Sequence, residues 1–374
     1  MSRRTGRSRH TVRIAAALVA TTVLTTGLTS GVAVAGTEHA SGHAQSRPDS
    51  KTSGTVLRVK VASTALSGNL EGDDPERDVS IYLPPGYDKN RSTRYPVLYM
   101  LHGFTQTDLS YFAEDAGTNV PATADRTLAT KTSKPMIIVT PNAMTVHGGS
   151  NYSSGATTGD WETFISDELV SYIDSHYRTI RDSDSRGIAG HSMGGYGALR
   201  IGMKHPDVFS SLYVLSSCCI DANSNIPDTA EEIEAMQDYT AHPENYPDGP
   251  PSSIRTAVAA AAAWAPNPTK PPLYFDSPFV DGQLDPEVYG RMTANRPLAM
   301  VDQYIGSLRT QNIAFDVGNA DVNIARNLTR LDATLTAYDV EHRFEVYEGN
   351  HGNRIPERFE TKVLPYFSEV LERR

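Results

Sequence analysis

"GIAGHSMGGYGALR", residues 187–200, sets one serine, Ser192, among glycines at 190, 194, 195 and 197, directly after a short apolar run. Gly190-His191-Ser192-Met193-Gly194 fits the pattern G-x-S-x-G. The run before it reads as a strand. Ala198, Leu199 and Ile201 after it mark one face of a helix, which Pro206 stops. Between a strand and a helix the pattern has a steric meaning. The chain reverses at the serine in a sparsely populated backbone conformation, and bulk two residues to either side would keep strand and helix apart. Such a turn exposes the Ser192 hydroxyl. It also aims the Met193 N–H, at a helix N-terminus, at the place where an oxyanion would develop. A glycine-rich helix start gives the same letters; the strand before and the helix after favour the nucleophile.

The rest of the chain supplies a sheet for this turn to stand on. Runs at 56–61, 79–83, 97–101, 136–140, 187–190, 212–215, 313–317 and 343–347 are short, apolar and rich in β-branched residues. The middle ones are continuously apolar, as strands covered on both faces are. Helical periodicity lies between them, over 160–177 (Trp161, Phe164, Ile165, Leu169, Ile173), around Leu328, Leu331 and Leu335, and at Val363, Leu364, Phe367 and Leu371. This alternation predicts a mostly parallel eight-stranded α/β sheet with helices on both faces, and an antiparallel edge made by the first two strands. Active groups in such sheets gather beyond the carboxyl ends of the strands. The strand at 313–317 is followed by Asp321, and the strand at 343–347 by His351 in "EGNHG". The order Ser…Asp…His is the one this architecture uses. Asp316 lies inside its strand, where a carboxylate is expected buried or paired, and Glu348 is still at its strand's end. Asp321 is therefore the preferred orienter and His351 the preferred base. His191 adjoins the serine, but its side chain is expected to diverge, and His205 before Pro206 reads as a helix-end residue. After the third strand, "YMLHGFTQTD" turns at His102-Gly103 and offers the Phe104 amide as a second oxyanion donor beside that of Met193.

Residues 220–297 interrupt the alternation with prolines, tyrosines and the run Ala257–Ala263 before Trp264. The stretch is too long for a plain connection and reads as a lid-like insertion or pocket wall, with one helix ended by Pro266. The start of the chain reads as an export signal over 1–35. Its parts are arginines at 3, 4, 7, 9 and 13, a threonine-diluted apolar stretch at 14–28, and Ala33-Val34-Ala35 as the cleavage site. That stretch is short for a span of about 20 apolar residues, so no membrane span is expected in the mature chain. Residues 36–53 read as a disordered spacer and 54–374 as the folded domain.

The 374 residues are 39% hydrophobic and 21% charged, with net charge −10. The acidic balance argues against nucleic acid as a partner and says little about a neutral or uncharged substrate. Cys218 and Cys219 are adjacent. Neighbouring Cα atoms sit about 3.8 Å apart, below the usual disulfide range, so a bridge between them would be strained, and two small residues packed at a strand end are the favoured reading. "EGDDPERD" (71–78) has no ligand spacing and reads as a solvated turn. No metal motif and no nucleotide-binding glycine pattern occurs, so neither a metal nor a cofactor is expected.

"RYPVLYMLHGFTQT", "WETFISDELVSYIDSHYRT", "RGIAGHSMGGYGALRIGMKHPDVFSSL" and "GNHGNRI" together resemble the esterase D-like family of α/β-hydrolases over roughly 54–374. That family includes feruloyl and acetylxylan esterases, S-formylglutathione hydrolases and secreted mycolyltransferases. Its acid commonly sits in Gly-x-x-Asp after the seventh strand, here Gly318-Asn319-Ala320-Asp321, and its oxyanion amides map to Phe104 and Met193. The resemblance implies a secreted serine esterase acting on a small-molecule or glycan-linked ester through an acyl-enzyme. Acyl transfer to an alcohol or sugar, and a non-catalytic cell-surface binding protein on the same fold, are the alternatives. The 220–297 stretch matches no substrate-defining pattern, and oligomeric state stays open.

Overall fold

The computed structural model describes residues 53–373. Its main sheet contains β1 (Thr55–Ala62), β2 (Glu76–Leu83), β3 (Val97–Leu101), β4 (Ile137–Pro141), β5 (Arg186–His191), β6 (Ser211–Leu215), β7 (Asn312–Gly318) and β8 (Arg343–Tyr347). Across the sheet the order is β1-β2-β4-β3-β5-β6-β7-β8. β2 runs antiparallel to both of its neighbours, and the other pairs are parallel. The sheet is therefore mostly parallel with an antiparallel edge, as the alternation predicts.

Side-chain alternation assigns the two faces. Val97, Tyr99 and Leu101 of β3, Ile188 of β5 and Val214 of β6 join one core. That core also holds Leu199 of α3 (Met193–Lys204), Val301 of α7 (Pro297–Leu308) and Leu328, Leu331 and Leu335 of α8 (Val322–Ala337). Leu98, Met100, Ala189 and Tyr213 point the other way. They meet Val120 and Ala124 of α1 (Val120–Ala129) and Leu364 and Phe367 of α9 (Leu364–Val370). The segment around Ile165 and Ile173, which includes α2 (Leu169–His176), packs on the first face. Both faces are covered, which is why the central strands are apolar throughout.

The 220–297 stretch carries α4 (Ala230–Ala241), α5 (Arg255–Trp264) and α6 (Pro286–Ala294). α5 is the alanine run, and it ends just before Pro266. Small side chains let it sit deep: Ala259 to Ala263 are buried, and Ala260 to Ala263 share a cluster with Tyr196 of α3, Cys219, Trp264 and Met292. The insertion thus rests directly on the helix that follows Ser192.

Two expectations fail. Cys218 and Cys219 are joined by a disulfide. The positive φ of Cys219, 66°, belongs to a backbone that turns sharply there, so adjacency did not keep the sulfurs apart. The acidic stretch 71–78 is not wholly solvated either. The Glu71 N–H is bonded to Thr157 O, and its side chain is 1% exposed, 3.6 Å from His147. Burial, helped by neighbouring Asp73, pushes the Glu71 carboxyl up to about 9. The proposed export signal, and the spacer apart from Ser53, lie outside the described residues. Among the described residues no helix is long and apolar enough to cross a membrane.

Candidate active site

Ser192 joins β5 to α3 with φ 56° and ψ −116°, a conformation costly for any side-chain-bearing residue. The close approach that imposes it is visible on either side. A Cβ on Gly190 would collide with the Gly194 backbone, and one on Gly194 would collide with the Leu101 carbonyl. The Ser192 N–H is held by Leu215 O, and its carbonyl accepts from Tyr196 and Cys218. Ser192 is left half-buried.

His351 Nε2 lies 2.9 Å from Ser192 Oγ, and His351 Nδ1 lies 2.6 Å from Asp321 Oδ2. A carboxylate can only accept, so Nδ1 carries the proton and Nε2 faces the hydroxyl as acceptor. The loops that carry these groups are bonded to each other. Asn319 N donates to Tyr347 O, Ala320 N to Gly349 O, and Gly349 N to Asn319 Oδ1. Adjacent parallel strands β7 and β8 therefore deliver acid and imidazole together. Asp316 is elsewhere: it is buried in β7, bonded to Tyr213 Oη at 2.8 Å and Arg358 Nε at 2.9 Å. Glu348 is exposed.

Met193 opens α3, so its N–H is among the unpaired donors of a helix start. The turn after β3 uses the amides of Gly103, Thr105 and Gln106 in its own bonds, and the Phe104 amide takes part in none of them. Gly149 sits between the two residues, against the Met193 thioether and the Phe104 ring, with no room for a Cβ.

Residues 73–360 match the model of the Esterase family. The chain belongs to that family. An esterase of Mycobacterium tuberculosis, Rv1288, is 37% identical over 135 residues, which is 36% of this chain and 27% of that relative. An endo-1,4-beta-xylanase/feruloyl esterase of Xylanibacter ruminicola is 31% identical over 140 residues, covering 37% of this chain and 19% of that protein. The match thus spans about a quarter or less of these relatives' length. Among solved structures, a ferulic acid esterase superposes with TM-score 0.60 at 23% identity, over 85% of this chain and 99% of that one. S-formylglutathione hydrolase from Staphylococcus aureus gives TM-score 0.55 at 16% identity, over 85% and 99%. These likenesses establish the α/β-hydrolase fold.

In this Esterase family chain two further histidines support the site. His191 Nε2 lies 2.7 Å from the backbone oxygen of His351, and the two rings tilt together at 4.7 Å. The His191 side chain rests on the loop that carries the imidazole. His102 is fully buried. Its Nε2 accepts from Ala143 N at 2.8 Å, so Nδ1 carries the proton toward Gly103 O, also at 2.8 Å. Burial holds both imidazoles down near 4, so both are neutral props at ordinary pH. Nothing in residue spacing marks the His191–His351 bond; it exists only once β5 and β8 are placed. His205 caps α3, as expected, and reaches Glu162. Among the described residues no group of three or more His, Cys, Asp or Glu side chains is placed to hold a metal ion.

Proposed function

We propose that this chain is an exported serine esterase that cleaves carboxylic esters through an acyl-enzyme. The reading is carried by one observation: Ser192 Oγ, His351 Nε2, His351 Nδ1 and Asp321 Oδ2 lie in a line of two hydrogen bonds, 2.9 and 2.6 Å. Ser192 Oγ attacks the ester carbonyl while His351 Nε2 takes its proton. Asp321 holds the imidazole in the required tautomer and stabilises the imidazolium. The Phe104 and Met193 amides receive the oxyanion, each contributing about 3–4 kcal/mol. His351 then protonates the departing alcohol. Water, deprotonated by His351, attacks the acyl group and releases the acid and Ser192. No cofactor is needed for these steps. Family membership supports the reaction class, and the named activities of the relatives point to small-molecule or glycan-linked esters as substrate. The basic, apolar and small-residue sequence of 1–35 supports export with cleavage near Ala35.

The test is hydrolysis of nitrophenyl esters of increasing acyl length and of methyl ferulate, together with labelling by a fluorophosphonate. Hydrolysis and labelling are both expected to vanish in Ser192→Ala. Labelling that persists in that variant would remove the nucleophile from the reading.

A further inference from the structure

The loop after β6 turns twice through left-handed backbone, at Ser216 (φ 37°) and Cys219 (φ 66°). It is pinned on three sides: Ser216 N donates to Asp316 O, Cys218 N to Ser192 O, and Leu298 N to Ile220 O. Between this loop and the first turns of α8 lies a cavity of about 570 Å³, within the size range of small-molecule sites. Its wall holds both Cys218 and Cys219, with Asn225 and Tyr289 from the insertion and Asn323 and Asn327 from α8. Asn323 is two residues beyond Asp321. None of Ser192, His351 and Asp321 lines the cavity; it adjoins their line through the loop whose Cys218 N–H bonds Ser192 O and through the helix that begins after Asp321. Asn225 Nδ2 reaches Cys219 Sγ at 3.1 Å, tying the disulfide to the insertion.

The lining is amide-rich, offering donors and acceptors at the same places. Two carboxylates, Asp228 and Glu232, outnumber the one guanidinium, Arg326, so an anion is not favoured. A bridge between neighbours closes almost no loop and restrains the unfolded chain little. Its consequence is local shape.

We infer that the Cys218–Cys219 disulfide is a specificity-determining wall of the substrate cavity, holding a neutral, hydrogen-bonding portion of the ester beyond the scissile bond. The inference rests on the serine-esterase reading of Ser192. Cys218 is half-buried and Cys219 buried, so a reductant reaches the Cys218 sulfur first. One thiolate of dithiothreitol attacks it, and the Cys219 thiolate leaves. The second dithiothreitol sulfur then closes that molecule's own disulfide. Two electrons and two protons pass to the pair, leaving two thiols.

The experiment compares second-order labelling rates for two fluorophosphonates. One is the small diisopropyl fluorophosphate; the other carries a polyethylene glycol chain that must lie along the cavity. Both are applied to the oxidised chain, to the reduced chain, and to the double variant Cys218→Ser/Cys219→Ser. Reduction and the double variant are each expected to slow the long probe roughly tenfold or more relative to the small one, with little change in Tm. Three results would overturn the inference. One is a long-to-small ratio that is the same in all three forms. Another is equal slowing of both probes with a lowered Tm, which would make the pair a support of the fold. The third is two free thiols in the denatured, unreduced chain. Failure of both probes to label the oxidised chain would instead sink the serine-esterase reading itself; failure of the long probe alone would overturn the inference.

Discussion

On the rim of the sheet Asp321 meets His351 at 2.6 Å, with the imidazole side chain 43% exposed. In the interior Glu71 faces His147 at 3.6 Å, with exposures of 1% and 8%. The residue types are the same and the outcomes are opposite. At the rim the imidazole bonds its carboxylate through one nitrogen and reaches a hydroxyl and water through the other. In the interior, burial pushes the Glu71 carboxyl up to about 9 and holds His147 down to about 4. Both are then neutral near pH 7, and the pair is not an ion pair despite its proximity. Depth decides whether a carboxylate and an imidazole can handle a proton or merely fill space.

The sharpest way to break this contrast is at the rim. Ser192→Ala or His351→Ala is expected to lower kcat for 4-nitrophenyl acetate by about 10⁴–10⁶, and Asp321→Asn by somewhat less. Normal turnover in Ser192→Ala would end the comparison. The next largest effect separates the two aspartates of one region. Arg358→Met leaves Asp316 buried without its cation and is expected to cost about 3–5 kcal/mol in urea unfolding. Asp321→Asn, at a partly exposed site, is expected to change unfolding far less.

The interior pair is tested by pH. Glu71 has a folded pKa raised from 4.5 to about 9. Its contribution to stability is fully present below about pH 4.5 and is lost as pH rises through 9. His147 has a folded pKa lowered from 6.5 to about 4, so its contribution is present above 6.5 and lost as pH falls toward 4. Glu71→Gln is expected to flatten the alkaline slope of stability, by at most about 1.4 kcal/mol per pH unit. Tm measured from pH 5 to 9 reads this directly. An unchanged alkaline slope would mean that Glu71 is already ionised in the folded chain. The smallest expected effect is that of His191→Phe, which loses the bond to the His351 carbonyl. It is expected to lower kcat by up to about tenfold with KM nearly unchanged.

Much of the architecture was legible because it rests on local rules. The runs at 97–101 and 343–347 coincide with β3 and β8, since a continuous apolar run and an alternating one between turn residues have few other uses. The glycines around Ser192 were readable because only small residues fit where strand and helix nearly touch. Asp321 could be preferred to Asp316 on topology alone, and the bonds of Asp316 to Arg358 and Tyr213 give the physical reason that a strand-interior carboxylate is occupied elsewhere. What stayed hidden depends on which distant segment covers a residue. Glu71 sits in an acidic run that reads as surface, yet the backbone near Thr157 and the ring of His147 close over it. The disulfide was hidden for a related reason: the left-handed turn at Cys219 is set by the pinned loop, and spacing alone argues against a bridge.

Asn319 and Ala320 lace the acid's loop to the imidazole's loop through backbone bonds to Tyr347 and Gly349. Carboxylate and imidazole are thereby yoked, and cannot be parted without snapping main-chain links on two strands. In the proposed esterase, adaptation to a bulky substrate would therefore fall to the side chains around the pair, while the proton-handling pair itself stays fixed.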